Sequence, residues 1–532
     1  MKGYFAHFFC VNCIQTGAKR GRKRAPAEPR RRSQTFQKEG RSNVKNDTII
    51  LGYVPVRRDM FPDKPAVMMN EKIRARVKAI CETLGDIELV DIADVVDGGL
   101  LWCKDDVEPV IEYLKSKKVD AVFFPHCNFG QEEAVAKVAR AVGKPVLLWG
   151  PRDPAPQGED EFRVFDTQCG LFATSKVLSR YGVPFTYLEN CWLEDETLDK
   201  GIDKFIRVAS VVKAVRSMRI GVIGPRPRQF LSVEVNESEL VEKFGIELTT
   251  IWTEEVSTVV QKLQKGMGDA IGSRLGVELP IAVHNWKEDG EPDPRIAQRV
   301  KEFKDTLDCS RMDDSKLEIM AAVEIAIEEL ARINHLDAVA VDCWAYLSSK
   351  YGIQACFILG DLIDRGLIAA CETDVHAAIT ARMLQAAARG KSAPFIADLT
   401  CRHPTNDNAE LLWHCGPFAK SLRKEGVQGS IRSGKGYYEI KGGDITVARF
   451  DQLGGNYLLF ADQVVGCEGP VTNGNYVWVE TNNWPEWEKK LMYGPYIHHL
   501  VGVHGCYADV MKESCKYITN LTHDSVNAVA SL

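Results

Sequence analysis

The sequence predicts an α/β protein: two doubly wound parallel-sheet domains, residues 48–215 and 216–365, followed by a β-rich C-terminal domain over 366–532. Three observations carry this. Short apolar runs of strand length alternate with amphipathic stretches of helix length from Thr48 onward, which is how strands covered by helices on both faces read. The same alternation restarts at Met218. After about Phe395, Gly, Asn, Thr and aromatic residues become frequent among short β-like runs. At 532 residues the chain is also too long for one core.

In order, Thr48 to Val54 is an apolar run that predicts a buried strand, Asn70 to Leu84 a helix and Ile87 to Val90 a strand. Val107 to Lys117 is amphipathic at helical spacing, Asp120 to Pro125 is a strand, Gln131 to Val142 a helix and Pro145 to Gly150 a strand. The second unit opens with a strand at Met218 to Gly224, then a helix from Glu237 to Phe244 and a strand from Ile246 to Trp252. The long helical stretch Asp314 to Asn334 leads into the apolar run Leu336 to Val341. In the last part, Tyr437 to Ile440, Ile445 to Arg449, Asn456 to Leu459 and Asn475 to Val479 read as strands.

Composition narrows the function classes. With a formal net charge of -6, the chain lacks the basic surplus of a phosphate-backbone binder, which excludes nucleic acid as the main partner. No run of about eighteen apolar residues predicts a membrane helix, and Met1 to Cys13 lacks the basic-then-apolar order of a secretory signal. The 16 cysteines are scattered among helical and strand patterns, so they read as reduced thiols in a cytoplasm. Cys10 and Cys13 form a lone C-x-x-C without the second pair a zinc site needs. Residues 1–47 carry the basic blocks Lys19 to Arg24 and Arg30 to Arg32 around a Pro/Ala stretch, and predict a disordered extension.

Ligands of open α/β sheets collect beyond the carboxyl ends of the strands. Three polar segments fall there: Phe124 to Glu132, Gly224 to Phe230, and Ile368 to His376. The third holds Glu372 and Asp374, two carboxylates two residues apart at the mouth of a strand, which suits a hard divalent cation. The same two acids also suit the start of the helix that follows, where carboxylates satisfy free N–H groups. Near the C-terminus His498, His499 and His504 cluster, three of 11 histidines within seven residues, in the manner of metal ligands or proton shuttles. Gly224 to Arg228 lacks both nucleotide-loop spacings, so Arg226 and Arg228 suit a sugar, a phosphate or a carboxylate. Cys169 has no neighbouring base and reads as a buried thiol.

Taken in order, Pro125 to Gly130, Lys144 to Asp153, Asn236 to Leu240 with Phe244 to Ile246, Cys371 to Val375 and Gly494 to His499 resemble the L-fucose isomerase-like proteins, with L-arabinose isomerases more distant. The resemblance runs from about residue 48 to the C-terminus. It implies an aldose–ketose isomerase working through a cis-enediol on a free sugar such as L-fucose, D-arabinose or a related, modified hexose. It also implies Mn2+, or Mg2+ or Co2+ in its place, and a homo-oligomer, trimeric or hexameric. Carried onto this sequence, the family's ligand carboxylate matches Asp374 and its ligand histidine His499; Glu372, a second acid in the same loop, is expected as metal ligand or base beside a catalytic Asp374, with His126, Asn128, Arg226 and His498 as expected sugar contacts. One position departs. The family's further Glu, twenty-odd residues before the ligand Asp, aligns with Cys356, which Asp342 and Asp361 flank. A sugar-binding protein that has lost catalysis, or a metal-dependent epimerase or lyase, is the alternative that this departure opens.

Overall fold

The fold is described from a computed structural model, over residues 47–527 apart from 157, 159–162 and 266–290. All but the last residue of the expected basic extension, with Cys10 and Cys13, therefore lies outside the described residues. The first sheet contains β1 (Ile49–Tyr53), β2 (Ile87–Asp91), β3 (Ala121–Pro125), β4 (Val146–Trp149) and β5 (Thr186–Tyr187), all parallel in the order β2-β1-β3-β4-β5. The helices α1 (Asp63–Leu84), α2 (Val107–Ser116), α3 (Glu132–Val142) and α4 (Thr167–Arg180) connect these strands. Every residue of β3 and β4 is buried, as parallel strands with helices on both faces must be.

Helix α5 (Glu196–Arg216) leads to the second sheet: β6 (Arg219–Ile223), β7 (Glu247–Ile251), β8 (Ala338–Val341) and β9 (Ile368–Cys371), parallel in the order β7-β6-β8-β9. Around it lie α6 (Glu237–Phe244), α7 (Thr253–Lys265), α8 (Pro294–Thr306), α9 (Asp314–Ile333), α10 (Tyr346–Tyr351) and α11 (Cys356–Asp364). Helix α6 has the ends its sequence predicts. The Asn236 side chain accepts from the Glu239 N–H, and Gly245 closes the helix in the left-handed region at φ 71°.

Helix α12 (Val375–Ala388) is buried nearly all round, packing on α5 and on the third sheet. That sheet has nine strands: β10 (Pro394–Arg402), β11 (Ala409–His414), β12 (Ser430–Arg432), β13 (Lys435–Glu439), β14 (Asp444–Leu453), β15 (Asn456–Cys467), β16 (Asn475–Glu480), β17 (His499–His504) and β18 (Leu521–Asp524). Their order is β12-β13-β16-β11-β10-β17-β14-β15-β18, and a further β15–β16 pairing closes the six central strands into a barrel. Helices α13 (Trp484–Tyr493) and α14 (Ala508–Ser514) complete the segment.

The predicted class holds, with one boundary moved. The run Ile368–Cys371, expected to open the C-terminal domain at 366, is the edge strand of the second sheet, with Ala338 opposite Ile368 and Val341 opposite Cys371. The reason is physical: four consecutive buried apolar residues suit a parallel strand covered on both faces, not the alternation of a barrel strand.

One contact shows how closely the first unit is packed. Gly170 of α4 lies against the loop after β3, where an added Cβ would stand 1.7 Å from the Phe129 carbonyl oxygen. Alanine in a helix interior normally gains about 1 kcal/mol over glycine, but overpacking against backbone costs about 1–3 kcal/mol or more. Gly170→Ala is therefore expected to destabilise the protein, read as a lowered urea midpoint.

Candidate functional site

Strand β9 ends at Cys371, and the next two residues, Glu372 and Thr373, both lie in the left-handed region at φ 58° and 56°. Two successive non-glycine residues there store strain, which persists only where surrounding contacts enforce it. Here the Thr373 N–H donates to Val341 O at 3.1 Å, its hydroxyl donates to Pro225 O at 3.2 Å, and the Asp374 N–H donates to Cys371 O at 3.1 Å. Because the strand stops before Glu372, the two acids do not point the same way. Asp374 is the N-cap of α12, its Oδ1 accepting from the Ala377 N–H at 2.9 Å.

The two acids instead grip one imidazole from opposite sides. Asp374 Oδ2 lies 2.7 Å from His499 Nδ1, and Glu372 Oε2 lies 3.0 Å from His499 Nε2. A third carboxylate joins them. In the antiparallel pairing of β10 with β17, Asp398 is directly opposite His499, and its Oδ1 lies 3.4 Å from His499 Nε2. Glu372 Oε2, Asp398 Oδ1 and His499 Nε2 are all buried, and apart from one another none has a polar partner. Such orphaned atoms are rare, and each calls for an explanation.

A cation would supply it. Two carboxylate oxygens and one imidazole nitrogen form a donor set suited to Mn2+, Mg2+ or a similar divalent ion. Asp374 at Nδ1 fixes the ring so that Nε2 faces Glu372 and Asp398, which is how outer carboxylates orient ligating histidines, and a cation would take the place of the proton that Nε2 carries without one. Burial alone pushes His499 down, but Asp374 and then Glu372 outweigh it and hold the imidazole up at about 9. The residues present therefore fit a metal, with Asp374 behind the histidine rather than on the cation.

Asp374 is itself held. Its Oδ2 also accepts from Arg449 Nη1 at 2.5 Å, and Arg449 Nε donates to Asp451 Oδ2 at 2.8 Å. Asp451 Oδ1 in turn lies 3.1 Å from His376 Nδ1. Burial opposes ionisation of Asp374, yet Arg449 and then His499 hold its carboxyl well below the usual range. Asp374 thus caps a helix through Oδ1 and is shared between Arg449 and His499 through Oδ2.

The cluster opens to solvent through aromatic groups. Trp344, 47% exposed, follows β8 and donates its indole N–H to Glu372 Oε1 at 2.9 Å. Phe230, from the loop after β6, packs on Trp344, His498 and His499 at ring separations of 5.5–5.7 Å. His498 meets His499 edge-to-face at a ring separation of 4.5 Å, and its Nε2 lies 4.0 Å from Asp398 Oδ1. His414, at the end of β11, sits behind, 3.8 Å from Asp398 Oδ1.

Of the residues singled out from sequence, Glu372, Asp374, His499 and His498 come together. Arg226 does not enter the cluster: its guanidinium donates to Pro227 O and pairs with Glu234 at 3.3 Å, and the loop reaches the site through Phe230 instead. His126 and Asn128 belong to the mouth of the first sheet. Burial pushes His126 down to about 4, its Nδ1 faces Phe129 O at 2.9 Å, and Asn128 accepts from the Arg58 N–H at 2.8 Å. Asp398, Trp344 and His414 were missed. Only Asp398 left a signal, a lone acid interrupting the apolar run Phe395-Ile396-Ala397 of a strand. Cys356 begins α11, and Cys169 is exposed rather than buried.

Two parallel sheets, of order 2-1-3-4-5 and 2-1-3-4, each with its switch point between the first and third strands, and a carboxylate–imidazole cluster beyond the strand ends of the second, define an α/β protein with a candidate ligand site where such folds place one. The N-terminal domain of the fucose/sulfoquinovose isomerases matches residues 52–216. A sulfoquinovose isomerase from Priestia aryabhattai is 24% identical over 472 residues, covering 87% of this chain and 95% of its own. Another, from Alkalicoccus urumqiensis, is 25% identical over 414 residues, covering 76% and 83%. The chain is thus similar to the fucose/sulfoquinovose isomerases, over the N-terminal domain by the family match and over most of its length by these relatives.

Proposed function

We propose that this protein is an aldose–ketose isomerase acting on a free hexose, with a divalent cation, Mn2+ foremost, held by Glu372, Asp398 and His499. The observation that carries the reading is that two buried carboxylate oxygens, Glu372 Oε2 and Asp398 Oδ1, lie 3.0 and 3.4 Å from His499 Nε2 beside an open aromatic rim. The cation, when bound, polarises the two adjacent sugar oxygens and steadies the charge that develops between them. Glu372 is the carboxylate that takes the proton from C2 of the aldose and returns it to C1 through a cis-enediol, with Trp344 holding its Oε1 in place. Asp374 and Arg449 orient His499. Phe230, Trp344 and His498 offer faces and a ring nitrogen to the sugar, and the rim excludes water from the buried carboxylates.

The expected substrate follows the relatives, whose names specify sulfoquinovose, a sulfonated hexose. L-fucose and D-arabinose are the comparison sugars. The reading of a sugar-binding protein without catalysis rested on Cys356 replacing a carboxylate, and it loses that support because Glu372 and Asp398 supply two. Purified protein with Mn2+ and each sugar in deuterium oxide is expected to form ketose from one of them and to place deuterium on the exchanging carbon. Exchange with a different product points to an epimerase, and no exchange with any aldose overturns the proposal.

A further inference from the structure

Behind the cluster lies a group of sulfur atoms that the reaction does not use. Gly416 approaches the start of α11 so closely that an added Cβ would stand 2.0 Å from the Cys356 carbonyl carbon and 2.2 Å from its Cβ. This approach sets Cys415 Sγ 2.9 Å from Cys356 Sγ, inside ordinary sulfur–sulfur contact and about 0.9 Å longer than a disulfide bond. Cys356 is 2% exposed and Cys415 is half-buried, so a small oxidant arriving from solvent meets Cys415 first. The Cys415 N–H donates to His414 Nδ1 at 2.9 Å, and the Cys415 sulfur lies 3.4 Å from the same nitrogen. The opposite nitrogen of that imidazole lies 3.1 Å from Cys371 Sγ and 3.8 Å from Asp398 Oδ1. Displacement of Cys415 is thus passed through one ring to a residue that borders Glu372 and to a carboxylate of the cluster.

We propose that Cys356 and Cys415 are a redox pair, which a peroxide closes into a disulfide that pulls His414 off the cluster and turns the enzyme down. The Cys415 thiolate attacks one oxygen of hydrogen peroxide. The S–O bond forms, the O–O bond breaks, and the departing hydroxide takes a proton to leave as water. The Cys356 thiol then attacks the resulting sulfenic sulfur. The S–S bond forms, the S–O bond breaks, and a second water leaves with the Cys356 proton. Two thiols lose two electrons and one peroxide becomes two waters. The hydrogen bond from Cys356, and then His414, hold the Cys415 thiol below its usual range, which favours it as the attacking sulfur. The neighbouring thiol then captures the sulfenic acid before further oxidation.

The test is a peptide map of the intact, metal-loaded protein after hydrogen peroxide, alkylated and digested without reductant. A cross-linked peptide joining Cys356 and Cys415, two hydrogens lighter than the thiols and lost on dithiothreitol, is expected. Cys356→Ser or Cys356→Ala is expected to leave a sulfenic acid on Cys415 that dimedone traps, and Cys415→Ser to give no cross-link. Turnover is expected to fall about tenfold or more on closure and to recover with reductant, since an ångström's misplacement near a site costs on that scale. The fractional loss is expected to vanish in Cys415→Ser. The pair is refuted if both thiols stay free while exposed Cys169, Cys401 and Cys506 are fully oxidised, and the switch is refuted if the disulfide leaves turnover unchanged. The map needs no sugar, so failure of the isomerase reading and failure of the redox pair are read separately.

Discussion

Asp398→Asn is expected to lower kcat/KM by roughly a thousandfold and to weaken Mn2+ binding in parallel. The substitution keeps the size of the side chain and its place opposite His499 in the β10–β17 pairing, but it replaces the orphaned Oδ1 with a neutral donor or acceptor. Polarisation by a bound cation is worth several kcal/mol, and each 1.4 kcal/mol is about tenfold in rate. Asp374→Asn is the control, because Asp374 acts through His499: substitutions behind a ligating histidine cost about 10–100-fold in affinity or activity. Electron paramagnetic resonance of Mn2+ titrations with steady-state kinetics separates the two. Equal metal loss in both variants, or greater loss in Asp374→Asn, would put Asp374 on the metal and refute the assignment to Asp398.

The contrast between these two aspartates shows what the sequence could carry. Strands such as Ala121–Pro125 and Ala338–Val341 were legible because a parallel strand covered on both faces is a bare apolar run. Glu372 and His499 were legible because each sits in a local cluster of polar residues at a strand end. Asp398 reaches the site only because β17 pairs with β10 in one register, and that long-range choice leaves no mark in the residues beside it. Asp374 enters the cluster from a direction its spacing did not imply. Spacing of two implies a shared direction only while the strand continues, and two left-handed residues break the strand before it.

The second large effect is expected from Arg449→Met, and it is one of stability before it is one of rate. Arg449 is wholly buried between Asp374 and Asp451. Replacing it with an apolar side chain of similar length preserves packing but leaves two carboxylates uncompensated, and breaking a buried ion pair from one side costs about 3–5 kcal/mol. The urea midpoint is expected to fall accordingly at neutral pH. The dependence on pH gives the mechanism its signature. Burial opposes ionisation of Asp451, yet Arg449 and then His376 hold its carboxyl low in the native protein. A lowered folded value means that its contribution is present above the unfolded carboxylate value, near about 4, and is lost as pH falls through the folded one. Without Arg449 the dominant remaining influence is burial, which raises the folded value, so the variant regains stability as its buried carboxylate takes up a proton. The gap between native protein and variant is therefore expected to be widest at neutral pH and to narrow toward about pH 4. A gap that stays constant over that range would mean that the guanidinium serves as packing alone, and that His499 owes its orientation to Asp374 without support from behind.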